Sequence, residues 1–270
     1  MDFEQIVNFR DVGGLRTADG HQVRHGVLYR SGHLADASDA DLTVLAALGI
    51  AVVVDLRRDR DIEHEGHNRV PAGTTVVSVP IGDFDTHAGV NLREVLSSRD
   101  PERMKAAFPP GKAYDMMVSA ARANVLDETH RIRYGEMLRA VIGADGAPVL
   151  VNCSAGKDRT GWSVATLLLA VGVPLDDVIT DYLKSNAAVQ RRLAAMEHLR
   201  GGGFEPEVLV PLLGVHADYI GTALATADEA YGSFANYLDA GLGVAPAEID
   251  RLRAHLLEPA APVVRDGGRP

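Results

Sequence analysis

Cysteine is scarce in the sequence, because Cys153 is the only one among its 270 residues. A lone cysteine excludes an intramolecular disulfide, so its chemistry suits a reducing compartment. Long apolar runs are missing as well. No stretch reaches the about 18 apolar residues that a membrane-spanning helix needs, and the N-terminal residues lack a signal-peptide pattern. We therefore expect a cytoplasmic protein without stable membrane insertion, and signal-independent secretion stays open.

Positive charge is also scarce. The chain has 27 Lys and Arg against 37 Asp and Glu, for a net charge of −10 at pH 7. Nucleic-acid-binding proteins usually present a basic face, and anionic membranes attract basic surfaces. The composition therefore predicts no nucleic-acid partner, and any anionic ligand must be held by a local site.

Four short runs rich in β-branched residues predict buried strands. They are GVLYR, IAVVVDLR, TTVVSVP and PVLVN, at 26–30, 50–57, 74–80 and 148–152. Between the first two, Ser38 and Asp41 have the spacing of a helix capping box. Strands alternating with helices predict an α/β fold, with a central, mostly parallel sheet of four to five short strands flanked by helices. After Arg159 the patterning is almost entirely helical, which predicts a helical C-terminal half.

The segment 81–112 interrupts this alternation. It is polar and rich in glycine and proline, which is typical of a long functional or disordered excursion. A helical region at 113–143 follows, with an expected break near Asn124. The end of the chain, 259–270, has the composition of a disordered tail. No repeat or linker divides the remainder, so we expect one domain over 1–258.

The lone cysteine stands in VNCSAGKDRTG (151–161), between the fourth strand and an apolar helix. Five residues separate Cys153 from Arg159. In such a short loop of mainly small residues, successive N–H groups can point inward and bind a tetrahedral oxyanion, aided by the helix N-terminus. The candidate phosphate-binding residues are Ser154, Ala155, Gly156, Lys157, Asp158 and Arg159, the last with a planar fork that matches two phosphate oxygens.

The same loop N–H groups, helix N-terminus and guanidinium would stabilise Cys153 as a thiolate, which could attack phosphorus as a nucleophile. The hydroxyl of Thr160 could hydrogen-bond the sulfur and help it leave in a second step. Three other interpretations compete with this one. A lone cysteine is most often a small core residue, and a sulfur-transfer enzyme also uses a loop-held cysteine. A nucleotide-binding P-loop fails on spacing, because Val151 and Asp158 stand where that motif needs Gly and Ser or Thr.

The loop resembles the signature loop of cysteine-dependent protein tyrosine phosphatases. Its GKDRTG form resembles a bacterial branch of atypical enzymes, the tyrosine/serine phosphatase family. Matching segments follow at NFRDVGG (8–14), LYRSG (28–32), LGIAVVVDLR (48–57), VGVPLDDVITDYLKSN (171–186) and YGSFANYLDAGLG (231–243). The resemblance implies a cysteine-phosphatase fold, a phosphocysteine intermediate, and a phosphorylated protein or phosphoinositide as substrate. It also encourages interpreting 81–130 as a lid-like insertion.

One residue departs from that pattern. Histidine usually precedes the nucleophile in these phosphatases, and this chain has Asn152. Asparagine can hydrogen-bond the backbone but carries no titratable charge. The alternative hypothesis is therefore a catalytically inactive phosphate-binding module.

A phosphatase also needs a general acid for the leaving group. Asp83 follows the third strand, where the resemblance places an acidic residue, and Asp158 lies inside the loop; we expect Asp83 to be the acid and Asp158 to support it. Lys157 would add a second cation at the rim of the loop. Arg10 and Asp11 either line the pocket or form a buried ion pair.

The remaining expectations concern bound groups and substrate. The histidine-rich HQVRH (21–25) and HEGH (64–67) lack an ordered ligand set, so we expect no metal and no cofactor. Phosphotyrosine is the first expected substrate, with phosphoserine, phosphothreonine and phosphoinositides left open.

Overall fold

The computed structural model describes residues 3–82, 94–95, 98 and 100–260. Within these residues, a sheet of five strands has the order β1-β3-β6-β4-β5. Strands β3 to β6 are parallel neighbours and β1 is antiparallel to β3. A separate antiparallel pair joins β2 to β7. The strand bounds are β1 Arg10–Asp11, β2 His21–Val23, β3 Leu28–Ser31, β4 Val52–Asp55, β5 Thr75–Ser78, β6 Val149–Asn152 and β7 Leu257–Pro259.

The helices cover both faces of the sheet and make up most of the C-terminal half. Their bounds are α1 Asp39–Ala47, α2 Asp59–Glu65, α3 Pro101–Ala107, α4 Lys112–Leu126, α5 Glu128–Gly143, α6 Asp158–Ala170, α7 Leu175–Leu183, α8 Val189–Ala194, α9 Val210–Leu213, α10 Ala217–Tyr231, α11 Phe234–Asn236 and α12 Pro246–Leu256. Short 3₁₀ segments join several of them. The predicted α/β class, with a mostly parallel sheet and a helical C-terminal half, is confirmed.

The sheet has a core on each face because its strand residues alternate in direction. Val54 and Val151 belong to the larger cluster, which α4, α5, α6 and α10 complete. Val53 and Leu150 point the other way, into a smaller cluster with Leu45 of α1. Strand β6 lies between β3 and β4, and all four of its residues are buried. The loop that follows it therefore starts from the buried central strand of the sheet.

Helix α1 begins with the predicted capping box. Ser38 accepts a hydrogen bond from the Asp41 N–H at 3.1 Å, and the Asp41 carboxylate accepts one from the Ser38 N–H at 3.2 Å. The same carboxylate accepts hydrogen bonds from the N–H groups of Glu4 and Gln5 at 2.7 and 3.0 Å. Burial opposes ionisation of Asp41, but these backbone donors outweigh it and lower its pKa. The helix cap thus also fastens the N-terminal segment.

Several predictions need correction. Strand β5, predicted to be buried, lies at the edge of the sheet, and three of its four residues are exposed. The break in the helical region lies at Asp127, which caps α5, rather than near Asn124. Strand β7 includes Pro259, and the Ala260 N–H donates to Gly20 O, so the described chain extends two residues into the predicted tail. Residues 261–270 and most of 81–100 lie outside the described residues, and the division into one domain with an insertion at 81–130 stays a prediction.

No single described helix is long and apolar enough to cross a membrane; only the bent pair 206–213 and 217–231 meets that test, as a pair.

Close packing between α6 and α7 yields a stability prediction. A Cβ on Gly161 of α6 would lie 2.4 Å from the ring of Tyr182 in α7, and Tyr182 is buried. We expect Gly161→Ala to destabilise the protein by about 1–3 kcal/mol through overpacking. Gly221→Ala in α10, where nothing lies within 4 Å, should instead stabilise by about 0.5–1 kcal/mol. Urea unfolding of both variants checks this, and equal stability of the two would contradict it.

Candidate active site

The candidate site lies at the carboxyl end of β6, where ligands bind in parallel sheets. Cys153 follows directly after the strand and is 3% exposed. The loop then curls over four residues, and α6 begins at Asp158 with its N-terminus facing the loop. The first N–H groups of a helix carry partial positive charge and favour an anion. The strand, the loop and the helix therefore occur in the predicted order.

The carbonyl groups of the loop are fastened on its outer side. Ser154 O accepts a hydrogen bond from the His33 N–H at 3.2 Å. Gly156 O accepts one from Asn8 Nδ2 at 2.7 Å and one from Arg30 Nη2 at 2.9 Å. Buried carbonyl groups need such donors. The outer surface of the loop is thus held by β3, by the chain just after it and by the N-terminal segment.

This fastening determines the direction of the N–H groups. In a trans peptide the N–H points opposite to the preceding C=O. With the carbonyls of residues 154–156 directed outward, the N–H groups of residues 155–157 are directed to the inner side of the loop. Within the described part of the chain, the N–H groups of residues 154–157 donate to no acceptor. They are thereby available to a tetrahedral anion.

Gly156 is required by both conformation and space. Its φ is +66°, a left-handed conformation that side chains rarely adopt. An added Cβ would also lie 2.3 Å from the backbone of Ser31 in β3. Glycine here lets the loop pack directly on the neighbouring strand.

Arg159 is anchored from the side by α2. The guanidinium is 4% exposed, donates from Nη1 to Asp61 Oδ2 at 2.8 Å, and from Nη2 to Ser154 Oγ at 3.2 Å. Asp61 also accepts a hydrogen bond from Arg58 Nη2 at 3.0 Å. Burial opposes ionisation of Asp61, but its bonds to Arg58 and Arg159 outweigh burial and hold its pKa far below the usual range. Asp61 therefore fixes the guanidinium beside the loop.

Sequence reasoning did not identify Asp61, although the charge-dense RRDRD (57–61) just after β4 was a signal that could have found it.

The sequence predicted Lys157 as a second cation at the rim of the loop, but its ammonium group is buried and engaged by other groups. Its side chain is 7% exposed and Nζ forms an ion pair with Asp158 Oδ2 at 2.9 Å. Nζ also donates to Leu212 O at 2.5 Å and to Gly214 O at 3.0 Å. The backbone of Lys157 belongs to the loop, while its ammonium group ties the loop to the segment that precedes α10.

Asp158 lies at the first position of α6, and its side chain lines a cavity between α4, α6, α7 and α10. Asp83 lies outside the described residues. Two positions before it, near the end of the described stretch 3–82, Ile81 O accepts a hydrogen bond from Arg159 Nη1 at 3.4 Å.

Thr160 lies where the motif requires, but the predicted hydrogen bond to the sulfur is not formed. Its side chain is fully buried and Oγ1 has no hydrogen-bond partner among the described residues.

Arg10 pairs with Asp181 at 2.8 Å rather than with Asp11. Among the described residues, no group of His, Cys, Asp and Glu side chains has an arrangement that would hold a metal ion.

Asn152 takes part in a neutral amide pair beneath the nucleophile. It is fully buried, and its Nδ2 donates to Asn68 Oδ1 at 3.2 Å. Asn68 in turn donates to Asp55 Oδ2 at 2.9 Å and accepts from the Leu34 N–H at 2.8 Å. These contacts fix the residue before Cys153 without a titratable group. Asn68 is a second residue that the sequence did not point to.

The anchoring of Arg159 by Asp61 gives a prediction for anion binding. We expect Asp61→Asn to weaken the binding of inorganic phosphate about tenfold or more, because a charged hydrogen bond to Arg159 is lost. Competition with a chromogenic phosphate ester measures this. Asp59→Asn, in the same helix but exposed, is the matched control and should leave phosphate binding unchanged.

The pH dependence of stability provides a further check. Because the pKa of Asp61 is lowered on folding, its stabilising contribution is complete above the unfolded-state pKa of about 3.9 and is lost as the pH falls through the folded-state value. The destabilisation caused by Asp61→Asn should thus be constant between about pH 5 and 8 and shrink in acid. A destabilisation that grows in acid would contradict the assignment.

The sequence comparisons agree with this geometry. Residues 1–258 match the tyrosine phosphatase family. The triple specificity protein phosphatase PtpB of Mycobacterium tuberculosis is 36% identical over 271 residues, with 93% of this chain and 96% of that protein covered. A protein of Cupriavidus necator is 35% identical over 260 residues, covering 95% of this chain and 88% of its own length.

A tyrosine-protein phosphatase of Nostoc commune is 28% identical over 235 residues, covering 84% of this chain and 73% of that protein. Among solved structures, P. aeruginosa TpbA aligns with 77% of this chain and 91% of its own length, at 21% identity and a TM-score of 0.25. The assignment rests on the family match and on the two relatives above 30% identity. The chain therefore belongs to the tyrosine phosphatase family and is a hydrolase of the protein-tyrosine phosphatase type.

Proposed function

We propose that the chain hydrolyses phosphomonoesters, phosphotyrosine in proteins first among them, through a phosphocysteine intermediate on Cys153. The observation that carries the proposal is the loop above Cys153, whose carbonyl groups are fastened outward while Arg159 is held beside it by Asp61. Amide N–H groups preorganised in this way stabilise a charged transition state without reorganising during the reaction.

In the first step, the Cys153 thiolate attacks phosphorus. A sulfur–phosphorus bond forms as the bond from phosphorus to the ester oxygen breaks, and an aspartic acid protonates the departing oxygen. The inward N–H groups of the loop, the N-terminus of α6 and the Arg159 guanidinium hold the remaining phosphate oxygens. Strand β6 and the amide of Asn152 keep the nucleophile in line beneath them.

In the second step, water attacks the phosphocysteine. The aspartate formed in the first step now accepts a proton from this water, the sulfur–phosphorus bond breaks, and inorganic phosphate and the thiolate result.

Two aspartates compete for the role of general acid. Asp83 follows a segment whose Ile81 carbonyl group contacts Arg159, which supports its access to the leaving oxygen. Asp158 lines the cavity beside the loop, but its carboxylate is paired with Lys157 at 2.9 Å. A carboxylate held as an ion beside an ammonium group is a poor proton donor. We therefore assign Asp83 as the acid and Asp158 as the residue that holds Lys157.

The range of substrates is proposed from one relative and from the contacts of Lys157. The M. tuberculosis relative is named a triple specificity phosphatase, which supports including phosphoserine and phosphothreonine. Phosphoinositides have less support, because the Lys157 ammonium group is engaged by two carbonyl groups and by Asp158. The reduced thiol that the mechanism requires suits a cytoplasmic location, which we propose on that ground alone.

The central test is turnover of p-nitrophenyl phosphate in buffer with a metal chelator. We expect Cys153→Ser to reduce turnover by on the order of 10³-fold or more, because the nucleophile is lost. Binding of inorganic phosphate should persist in this variant. A wild-type protein that binds phosphate but shows no turnover would instead indicate an inactive binding module.

The general acid is identified by its dependence on the leaving group. Asp83→Asn should slow hydrolysis of a phenyl or tyrosyl phosphate by about 10²–10⁴-fold, while leaving esters of acidic phenols nearly unchanged. Asp158→Asn should affect both kinds of ester to a similar extent. If the leaving-group dependence appears only in Asp158→Asn, the two assignments are reversed.

A further inference from the structure

The N-terminal segment before β1 reaches the outer side of the phosphate-binding loop through one side chain. We propose that Asn8 is a positioning residue that fixes the peptide orientation of this loop, and so its affinity for the phosphoryl group. The inference rests on the proposed function of the loop and adds a determinant 145 positions away from the nucleophile in sequence, Asn8 to Cys153.

The amide of Asn8 is placed by its neighbours. Its Oδ1 accepts a hydrogen bond from Arg10 Nη1 at 2.6 Å, which orients the amide so that Nδ2 faces the loop. Nδ2 donates to Gly156 O at 2.7 Å and to Ala155 O at 3.4 Å. Arg10 is itself held by Asp181, through Nε at 2.8 Å. Asn8 is therefore the link between an ion pair and the loop backbone.

The backbone at Asn8 adopts a conformation that is unusual for a residue with a side chain. Its φ is +58°, in the left-handed region. The chain before it is fastened, since Val7 O accepts from the Gly32 N–H at 2.8 Å and the Asp41 carboxylate holds the N–H groups of residues 4 and 5. Such backbone conformations persist where surrounding contacts enforce them, often at functional sites.

The consequence concerns the peptide between Ala155 and Gly156. Arg30 supplies a second donor to Gly156 O, but no other described donor reaches Ala155 O. Gly156 has the conformational freedom to let this peptide rotate. Without Asn8, a rotated peptide would direct a carbonyl oxygen toward the anion in place of an N–H. Attraction for the phosphoryl group would be reduced, although the rest of the fold remains.

Two variants of Asn8 separate the lost donor from an added charge. Asn8→Gly removes the amide and accepts the positive φ, so the backbone is retained. Asn8→Asp keeps the shape and the acceptor for Arg10 but replaces the donor by an oxygen. Asn236→Asp is the matched control, because the exposed Asn236 likewise donates to a backbone carbonyl, Tyr231 O at 2.9 Å, outside the site.

The readout compares two alkylating reagents at Cys153, anionic iodoacetate and neutral iodoacetamide, together with competitive inhibition by inorganic phosphate. Oriented N–H groups recruit the carboxylate of iodoacetate but not the neutral reagent. For Asn8→Gly and Asn8→Asp we expect the iodoacetate-to-iodoacetamide rate ratio and the phosphate affinity each to fall about tenfold. Asn236→Asp should match the wild type in both.

Two results would overturn the inference. One is an unchanged rate ratio and phosphate affinity in Asn8→Gly. The other is an equal loss of both alkylation rates, which would mean a general loss of structure rather than of anion recognition. Failure of the proposed function is distinguishable, because the wild-type protein itself would then show neither phosphate inhibition nor preference for iodoacetate.

Discussion

The direction of the peptide groups in residues 154–157 is the constraint on which the rest of the site depends. A loop that presents N–H groups to an anion must send its carbonyl groups the other way, into the protein, where each needs a donor. Here the donors come from the His33 backbone, Arg30 and Asn8. The close approach of β3 explains why residue 156 has no side chain. The geometry of the site is thus determined by its outer side as much as by its inner one.

A protein with a net charge of −10 has to attract an anionic substrate by local means. Buried guanidinium groups around the loop are each matched by a buried carboxylate, Arg159 by Asp61 and Arg30 by Asp181. Burial and the nearby Arg10 lower the pKa of Arg30 to about 10, which leaves it charged at neutral pH. Because these pairs nearly neutralise one another, we attribute much of the attraction to the loop N–H groups and the N-terminus of α6.

Local sequence patterns predicted the central strands of the sheet and the start of the first helix. Strands β3, β4 and β6 were predictable because runs of β-branched residues are long enough to indicate burial, and the Ser38–Asp41 capping box identified the start of α1. The run at β5 predicted the strand but not its exposure, because an edge position depends on the order of the strands in the sheet. Strands β1, β2 and β7 span two or three residues each, too few for any periodicity to appear. The order of Cys153, five residues and Arg159 predicted the phosphate loop, because its chemistry requires that spacing.

The supporting residues could not be predicted in the same way. Their contacts span long stretches of sequence: 148 positions from Asn8 to Gly156, 98 from Asp61 to Arg159 and 84 from Asn68 to Asn152. Only the folded chain brings these residues together. The burial of Lys157 has the same origin, because its acceptors lie in residues 212–214. The residues that give the loop its chemistry are adjacent in sequence, whereas the contacts that orient the loop are made between distant segments.

The most direct measurement is the amide proton chemical shift of residues 154–158 during titration of the Cys153→Ser protein with inorganic phosphate. Hydrogen bonding to an anion moves amide protons downfield. The account requires saturable downfield shifts at consecutive amides of this loop, with one phosphate bound per chain. Phosphate binding that leaves these amides unmoved, or that shifts only surface residues elsewhere, would contradict the claim that the inward N–H groups form the phosphoryl site.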